Sequence, residues 1–154
     1  MSDTHKQSIK LILKVSDDLR SYDDRHVVIY RGNGPWTNPD TWSLPGVDGS
    51  GEQALVNGVQ SKFGLHTNIA DWEKLAEVFN PANDEINHVW QYHGCLDTSD
   101  LQNFFNHVAD VKAMPLSTIR DDIKKQHKTP SPALETIIDA SITSSNAKFR
   151  LLFE

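Results

Sequence analysis

At 154 residues, with 38% hydrophobic and 23% charged side chains, the chain has the size and composition of one ordinary globular domain, and disorder, collagen and coiled coil are poor readings. Fifteen Lys and Arg against 21 Asp and Glu leave a net charge of -6, which argues against nonspecific binding to a nucleic-acid backbone, because that affinity comes from neutralising phosphates. The lone Cys95 makes neither an internal disulfide nor a cysteine-built zinc site, no apolar run reaches the length of a membrane span, and Met1–Lys6 lacks a signal-peptide profile, so a reducing, cytoplasmic location is expected.

Ile9–Val15 alternates weakly and His26–Tyr30 is rich in β-branched residues, so both are expected strands, joined as a hairpin across the polar Asp17-Asp18 and Tyr22-Asp23-Asp24. Residues 31–40, Arg-Gly-Asn-Gly-Pro-Trp-Thr-Asn-Pro-Asp, are dense in turn formers and read as a loop. Trp42–Val47 is a short extended piece stopped by Pro45-Gly46. Beyond Gly51 the period changes: Leu55, Val59 and Phe63 fall at i, i+4 and i+8, a helical stripe closed by Gly64. Gly58, in the middle of that helix, lowers local propensity by about 1 kcal/mol against Ala, so it needs a packing reason or marks a weak point.

Trp72–Phe79 and Ile86–Leu96 are the next expected strands, across a turn-rich loop that carries Asp84 and Glu85. Leu101–Val108 reads as a helix capped by Thr98 or Ser99, Val111–Met114 as a short strand, and Ser117–Gln126 and Pro132–Ile142 as helices, the last with Ser131 at its cap and Pro132 at its first position. Strands, a helix, strands and then helices make an α+β pattern. No repeat or linker interrupts it, so residues 1–154 are read as one domain with a core from about 9 to 140 and a C-terminal tail at 143–154.

The segment Trp42–Leu65, Trp-Ser-Leu-Pro-Gly-Val-Asp-Gly-Ser-Gly-Glu-Gln-Ala-Leu-Val-Asn-Gly-Val-Gln-Ser-Lys-Phe-Gly-Leu, resembles a Nudix box and the strand leading into it. Members of that family read W-x-L-P-G-G, then a loop ending in G-E, then a helix of the form A-A-x-R-E-L-x-E-E-T-G-L. Trp42, Leu44, Pro45, Gly46, Gly51, Glu52, Ala54, Gly64 and Leu65 occupy the corresponding places, and the element order agrees from about Ile9 to Ala140. The resemblance implies a Nudix-type α/β/α sandwich with a mixed central sheet, and it implies a hydrolase of nucleoside diphosphates linked to another group, working with Mg or Mn.

Inside this frame the chemistry departs from the family. Asn57 and Gly58 stand where the family has its Arg-Glu pair, Ser61 and Lys62 stand where it has paired glutamates, and the loop and helix start are shorter by about four residues. Between Gln53 and Ala70 there is no Asp or Glu at all. Magnesium wants octahedral oxygen ligation from carboxylates and phosphates, and glutamates three or four apart share one helix face. A lysine at a ligand position repels a metal.

Of the acids the resemblance would use, Glu52 remains as catalytic and metal-binding candidate, with Asp48 in the loop and Glu85 (beside Asp84) from the strand connection as partners. The plainer reading makes Glu52 a first-turn acid favoured by the helix dipole and the others turn residues. Lys62 suggests another outcome: a cation in a carboxylate's place binds a ligand phosphate directly. Arg31, at the start of the turn-rich loop, and Trp36 within it are further ligand-binding candidates, Trp36 by stacking on a base or by sitting in a subunit contact.

His26, His88 and His93 make no zinc site, because His88 and His93, five apart, point to opposite faces of a strand. Cys95 reads as a core thiol. Arg120–Lys128 reads as a solvated helical face, and the apolar tail Ala147–Glu154 either packs back or meets a partner chain. The resemblance implies a homodimer. Two functions of different class stay open: a hydrolase holding metal through Glu52 and loop acids, or a non-catalytic Nudix-fold module that binds a nucleotide-like or other anionic ligand, or a protein partner.

Overall fold

The computed structural model describes residues 5–15, 26–32, 41–96, 100, 102, 104 and 108–154. Its elements are β1 (Lys6–Val15), β2 (His26–Gly32), β3 (Thr41–Trp42), β4 (Gly46–Asp48), α1 (Gly51–Phe63), β5 (Trp72–Asn80), β6 (Glu85–Leu96), β7 (Val108–Pro115), α2 (Ile119–Lys125), β8 (Thr129–Pro130), α3 (Pro132–Ile142) and α4 (Ala147–Leu152), with single 3-10 turns before β5 and α2. The turn at 16–25, the loop at 33–40 with Trp36, and the expected caps Thr98 and Ser99 lie outside the described residues. So does most of the expected helix at 101–108, and Val108 itself opens β7.

β1 is the spine. It runs parallel to β6 from Lys6↔Glu85 to Val15↔Leu96, and the main sheet is ordered β5-β6-β1-β2-β7. Its other edge is shared. β4 takes one end, antiparallel, through Ser8↔Asp48, Ile9↔Val47 and Lys10↔Gly46, and β2 takes the other at Lys14↔Val27. The expected hairpin is therefore present but narrow, and β2 finds its long partner in β7, from His26↔Pro115 to Gly32↔Val108. β3 pairs with β8 in a separate ribbon.

Both faces of the sheet are covered, which explains the weak alternation of β1: a strand buried on two sides has little reason to alternate. Ile9, Leu11 and Leu13 join Leu55, Val59 and Phe63 of α1, together with Trp72, Trp90 and Phe104, in one core. Ile12 and Val89 join Trp42, Leu44 and residues of α2 and α3, among them Ile123, Leu134 and Ile137, in the other. The layers are α1, sheet, then the C-terminal helices, the mixed sandwich that the sequence leads one to expect.

Local signals explain the helices. Gly64 ends α1 with φ +69°, a left-handed cap that favours glycine, and its N–H bonds back to the helix carbonyls. Ser131 accepts from the Leu134 N–H, with Pro132 at the first helical position. The tail packs back: Phe149 is 1% exposed within the second core, Asn146 Nδ2 donates to the Leu75 carbonyl (3.1 Å), and Lys148 Nζ meets Glu73 (2.9 Å). Together the hydrogen bonds to Lys148 and His93 hold the Glu73 carboxyl below the usual range, that to Lys148 being the larger influence.

Gly58 has its packing reason. A methyl group there would stand 2.9 Å from Val47 Cβ, so glycine is what lets α1 lie directly on β4. Gly58→Ala is expected to gain roughly 1 kcal/mol of helix propensity and lose about 1–3 kcal/mol to overpacking. The net destabilisation in urea should be relieved in the Gly58→Ala, Val47→Ala double variant. A more stable single variant would show that the contact is slack. Phe149→Ala should cost about 3–5 kcal/mol if the tail belongs to the second core, and a loss under about 1 kcal/mol in the same measurement would detach it.

Candidate functional site

The helix α1 presents three faces. Leu55, Val59 and Phe63 enter the core. Glu52, Gln53 and Asn57 look outward and line an open cleft of about 610 Å³ with His66 and Asn68 of the following loop. The third face, Gly58 and Lys62, lies against β4, and here the side chains that differ from the family's pattern do their work.

Lys62 Nζ donates to the Gly46 carbonyl at 2.8 Å, crossing from the helix to the strand that leads into it. Gly46 pairs with Lys10 on β1. A methyl group on Gly46 would stand 3.3 Å from Lys10 Nζ and 3.1 Å from the Ile9 carbonyl oxygen, so the glycine leaves the room that the lysine occupies. The pleat puts Lys6, Ser8 and Lys10 on one face of β1. Register sets Asp48 opposite Ser8, Glu85 opposite Lys6 and Asn87 opposite Ser8 on the other flank. Glu85 is buried, 5% exposed, and lies 3.6 Å from Lys6 Nζ. Asn87 is fully buried, and neither end of its side-chain amide has a hydrogen-bond partner among the described residues.

Three ammonium groups thus meet two carboxylates. Burial pushes Lys10 below the ordinary lysine value; Glu85 and Asp48 act against that shift, and Lys62 and Lys6 reinforce it. Lys62 is lowered too, first by burial, with Asp48 opposing and Lys6 assisting. Lys62 has a hydrogen bond to the backbone, whereas Lys10 Nζ has no hydrogen bond and no ion pair within 4.0 Å among the described residues.

The expected metal ligands are not gathered. Glu52 opens onto the outer cleft, while Asp48 and Glu85 flank β1 by register, opposite Ser8 and Lys6, and act electrostatically on Lys10. Among the described residues no group of three His, Cys, Asp or Glu side chains is placed to hold a metal ion. This donor set does not fit a divalent cation: the position nearest the Gly46 carbonyl is taken by an ammonium, and Glu85 already answers Lys6. The placement has a simple cause, which sequence spacing does not show: strand register puts Asp48 beside Ser8 and Glu85 beside Lys6, on the sheet face of Lys10.

Other candidates separate as well. Asp84, at φ +51°, bonds His5 in an exposed turn. His88 is buried 2.6 Å from the Gln7 side-chain oxygen, and His93 is exposed beside Glu73 at 3.0 Å, so the two share nothing. Arg31 lies on β2 opposite Asp110 by register, and Trp36 falls outside the described residues. Arg120 binds both Glu135 and Asp139, so the charged run ties α2 to α3 as well as facing solvent. Lys6, Lys10 and Asn87 were missed from sequence. The available signal was the pair of lysines interrupting the apolar run of β1.

Because Lys10 and Lys62 lie below 10.5 in the folded chain, the unfolded chain binds more protons between those folded values and 10.5. Stability should therefore rise with pH across that window, and below it the cost of two buried ammoniums is present in full. Lys10→Met should be more stable than the parent near neutral pH, by about 1 kcal/mol, and should show a flatter rise. Urea unfolding along a pH series checks this, and a variant with the parent's slope refutes it.

No protein-family profile matches the sequence, and no curated protein matches it. Solved structures do. The NUDIX domain of Shewanella oneidensis NrtR, solved with ADP ribose, aligns at TM-score 0.56 and 16% identity over 97% of this chain and 90% of that one. A mutT/nudix family protein from Listeria innocua aligns at 0.50 and 13% over 90% and 98%. A bifunctional NMN adenylyltransferase/ADP ribose pyrophosphatase from Francisella tularensis aligns at 0.54 and 14% over 92% of this chain and 42% of that one, so this chain spans less than half of that protein's length. At such identities the likeness shows the fold, and the fold is Nudix.

Proposed function

We propose that this Nudix-fold chain is a metal-independent binding module for a nucleotide-like anion carrying a diphosphate, and that metal-dependent hydrolysis on its box helix is impaired or absent. The observation that carries the reading is the Lys62 ammonium, bonded to the Gly46 carbonyl at the place where the family's box has a glutamate. A fixed cation there neutralises phosphate oxygens without a bound ion, and a partly buried one does so more strongly than one in bulk water.

Lys6 and Lys62 would hold the phosphates, with Asp48 and Glu85 keeping the three ammoniums from repelling one another when no ligand is bound. Arg31 would add charge, and Trp36 would stack on a base. Glu52 would keep its place in the first turn of α1 for the helix dipole, not for catalysis. That the Shewanella domain was solved with ADP ribose supports a ligand of that class. The rival reading, a hydrolase holding Mg or Mn through Glu52 and loop acids, finds less support, because Glu52 lines the outer cleft while Asp48 and Glu85 sit by register beside Ser8 and Lys6.

Thermal unfolding with inorganic pyrophosphate and with ADP ribose, in the presence of a chelator, tests the proposal. Both ligands should raise Tm without metal, because a ligand that binds only the folded state stabilises it by mass action. Lys62→Glu should weaken either dissociation constant by roughly 10- to 100-fold. Mg- or Mn-dependent release of phosphate or mononucleotide that vanishes in Glu52→Gln would overturn the reading.

A further inference from the structure

The three lysines are not equivalent. Lys62 donates to a backbone carbonyl and Lys6 has an acid 3.6 Å away, but among the described residues Lys10 Nζ has no hydrogen-bond partner. It stands on the central strand in space left by Gly46, part-buried, with Lys6 four residues earlier on the same face of the strand. An amine placed in poor solvation beside other cations is the arrangement that makes lysine a nucleophile at neutral pH, since the neutral form carries the reactive lone pair. The groups facing it are Lys62 from α1, Lys6 on β1, Glu85 from β6 and Asp48 from β4. Opposite Ser8 on β6, Asn87 brings to the same face a buried amide with neither end bonded among the described residues.

We infer that Lys10 is a nucleophilic amine that forms a reversible imine with the open-chain aldehyde of a phosphorylated sugar whose phosphate is held by Lys62 and Lys6. This rests on the anion-binding reading above and adds a reactive group to it. Lys10 Nζ, in its neutral form, attacks the carbonyl carbon while the C=O π pair moves to oxygen. The nitrogen gives up its protons, the oxygen leaves as water, and a C=N bond replaces the C=O bond. Nothing is oxidised or reduced, and hydrolysis returns amine and aldehyde. Burial and the neighbouring cations lower the Lys10 pKa, which increases the neutral fraction available for attack.

The experiment treats the full chain near neutral pH with ribose 5-phosphate and sodium cyanoborohydride, which reduces an imine to a stable amine, and maps adducts by peptide mass spectrometry. Free ribose, the same aldehyde without the phosphate, runs in parallel. Lys10 should be labelled roughly tenfold or more faster than exposed lysines such as Lys124 and Lys128 with ribose 5-phosphate, because a held phosphate keeps the aldehyde beside the amine. Ribose should lose most of that preference. Lys62→Gln should slow labelling of Lys10 by ribose 5-phosphate more than it slows labelling by ribose, because only the phosphate needs Lys62 as a partner. Lys10→Arg and Lys10→Met should each abolish the fast site, and labelling in the parent chain needs neither variant to fold.

Adducts spread over the exposed lysines, with Lys10 no faster than they are, would overturn the inference. Pyrophosphate binding, which involves no aldehyde, separates the two claims. Stabilisation by pyrophosphate with no fast Lys10 adduct removes the imine and keeps the anion site. A fast Lys10 adduct that forms equally with ribose and with ribose 5-phosphate, in a chain that pyrophosphate does not stabilise, removes phosphate recognition and with it the inference as stated.

Discussion

The close approach of α1 to β4 is the constraint on which the site depends. With only a hydrogen on Gly58, the helix settles onto Val47, and the last turn of α1 comes near enough for Lys62 to reach the Gly46 carbonyl. Across Gly46 the same strand pairs with β1 and meets Lys10. Two missing side chains, at Gly46 and Gly58, therefore create the space that two lysines use. A larger residue at either position would push apart the layers that bring the charges together.

Much of this frame was legible in the sequence because it is written in local signals. The apolar stripe Leu55, Val59 and Phe63, the left-handed Gly64 and the Ser131-Pro132 cap each act over a few residues, and each is found where the pattern puts it. Charge at the site was legible in half. Lys62 could be picked out because it breaks a helix pattern whose other members are known. Lys10 could not, since a lysine in a strand reads as solvent-facing until the pairing shows that β1 is central and covered on both faces. The same gap in knowledge led Asp48 and Glu85 to be read as partners of Glu52, when their register places them with Lys10 and Lys6.

On the proposed reading, a site changes its chemistry with little change to its scaffold. Carboxylates arranged on a helix attract a divalent cation, and the cation then attracts phosphate. An ammonium in the carboxylate's place removes the intermediary. The sign of the helix face is inverted while the frame around it, from Trp42 to Leu65, keeps the residues that shape it. The net charge of -6 conceals this, because it sums over the whole chain, whereas residues 53–70 carry no acid at all.

β1 is bonded along one edge to β6 and along the other to β4 and β2. Three of its residues, Lys6, Ser8 and Lys10, form one wall of the site, so a ligand held there is held by the innermost strand and not by a peripheral loop. Separating that strand from its neighbours would break the binding wall itself. An occupied site would then act as a clasp on the whole sheet, and the chain's lifetime against proteases, which attack opened forms, would be set by how often the clasp is empty.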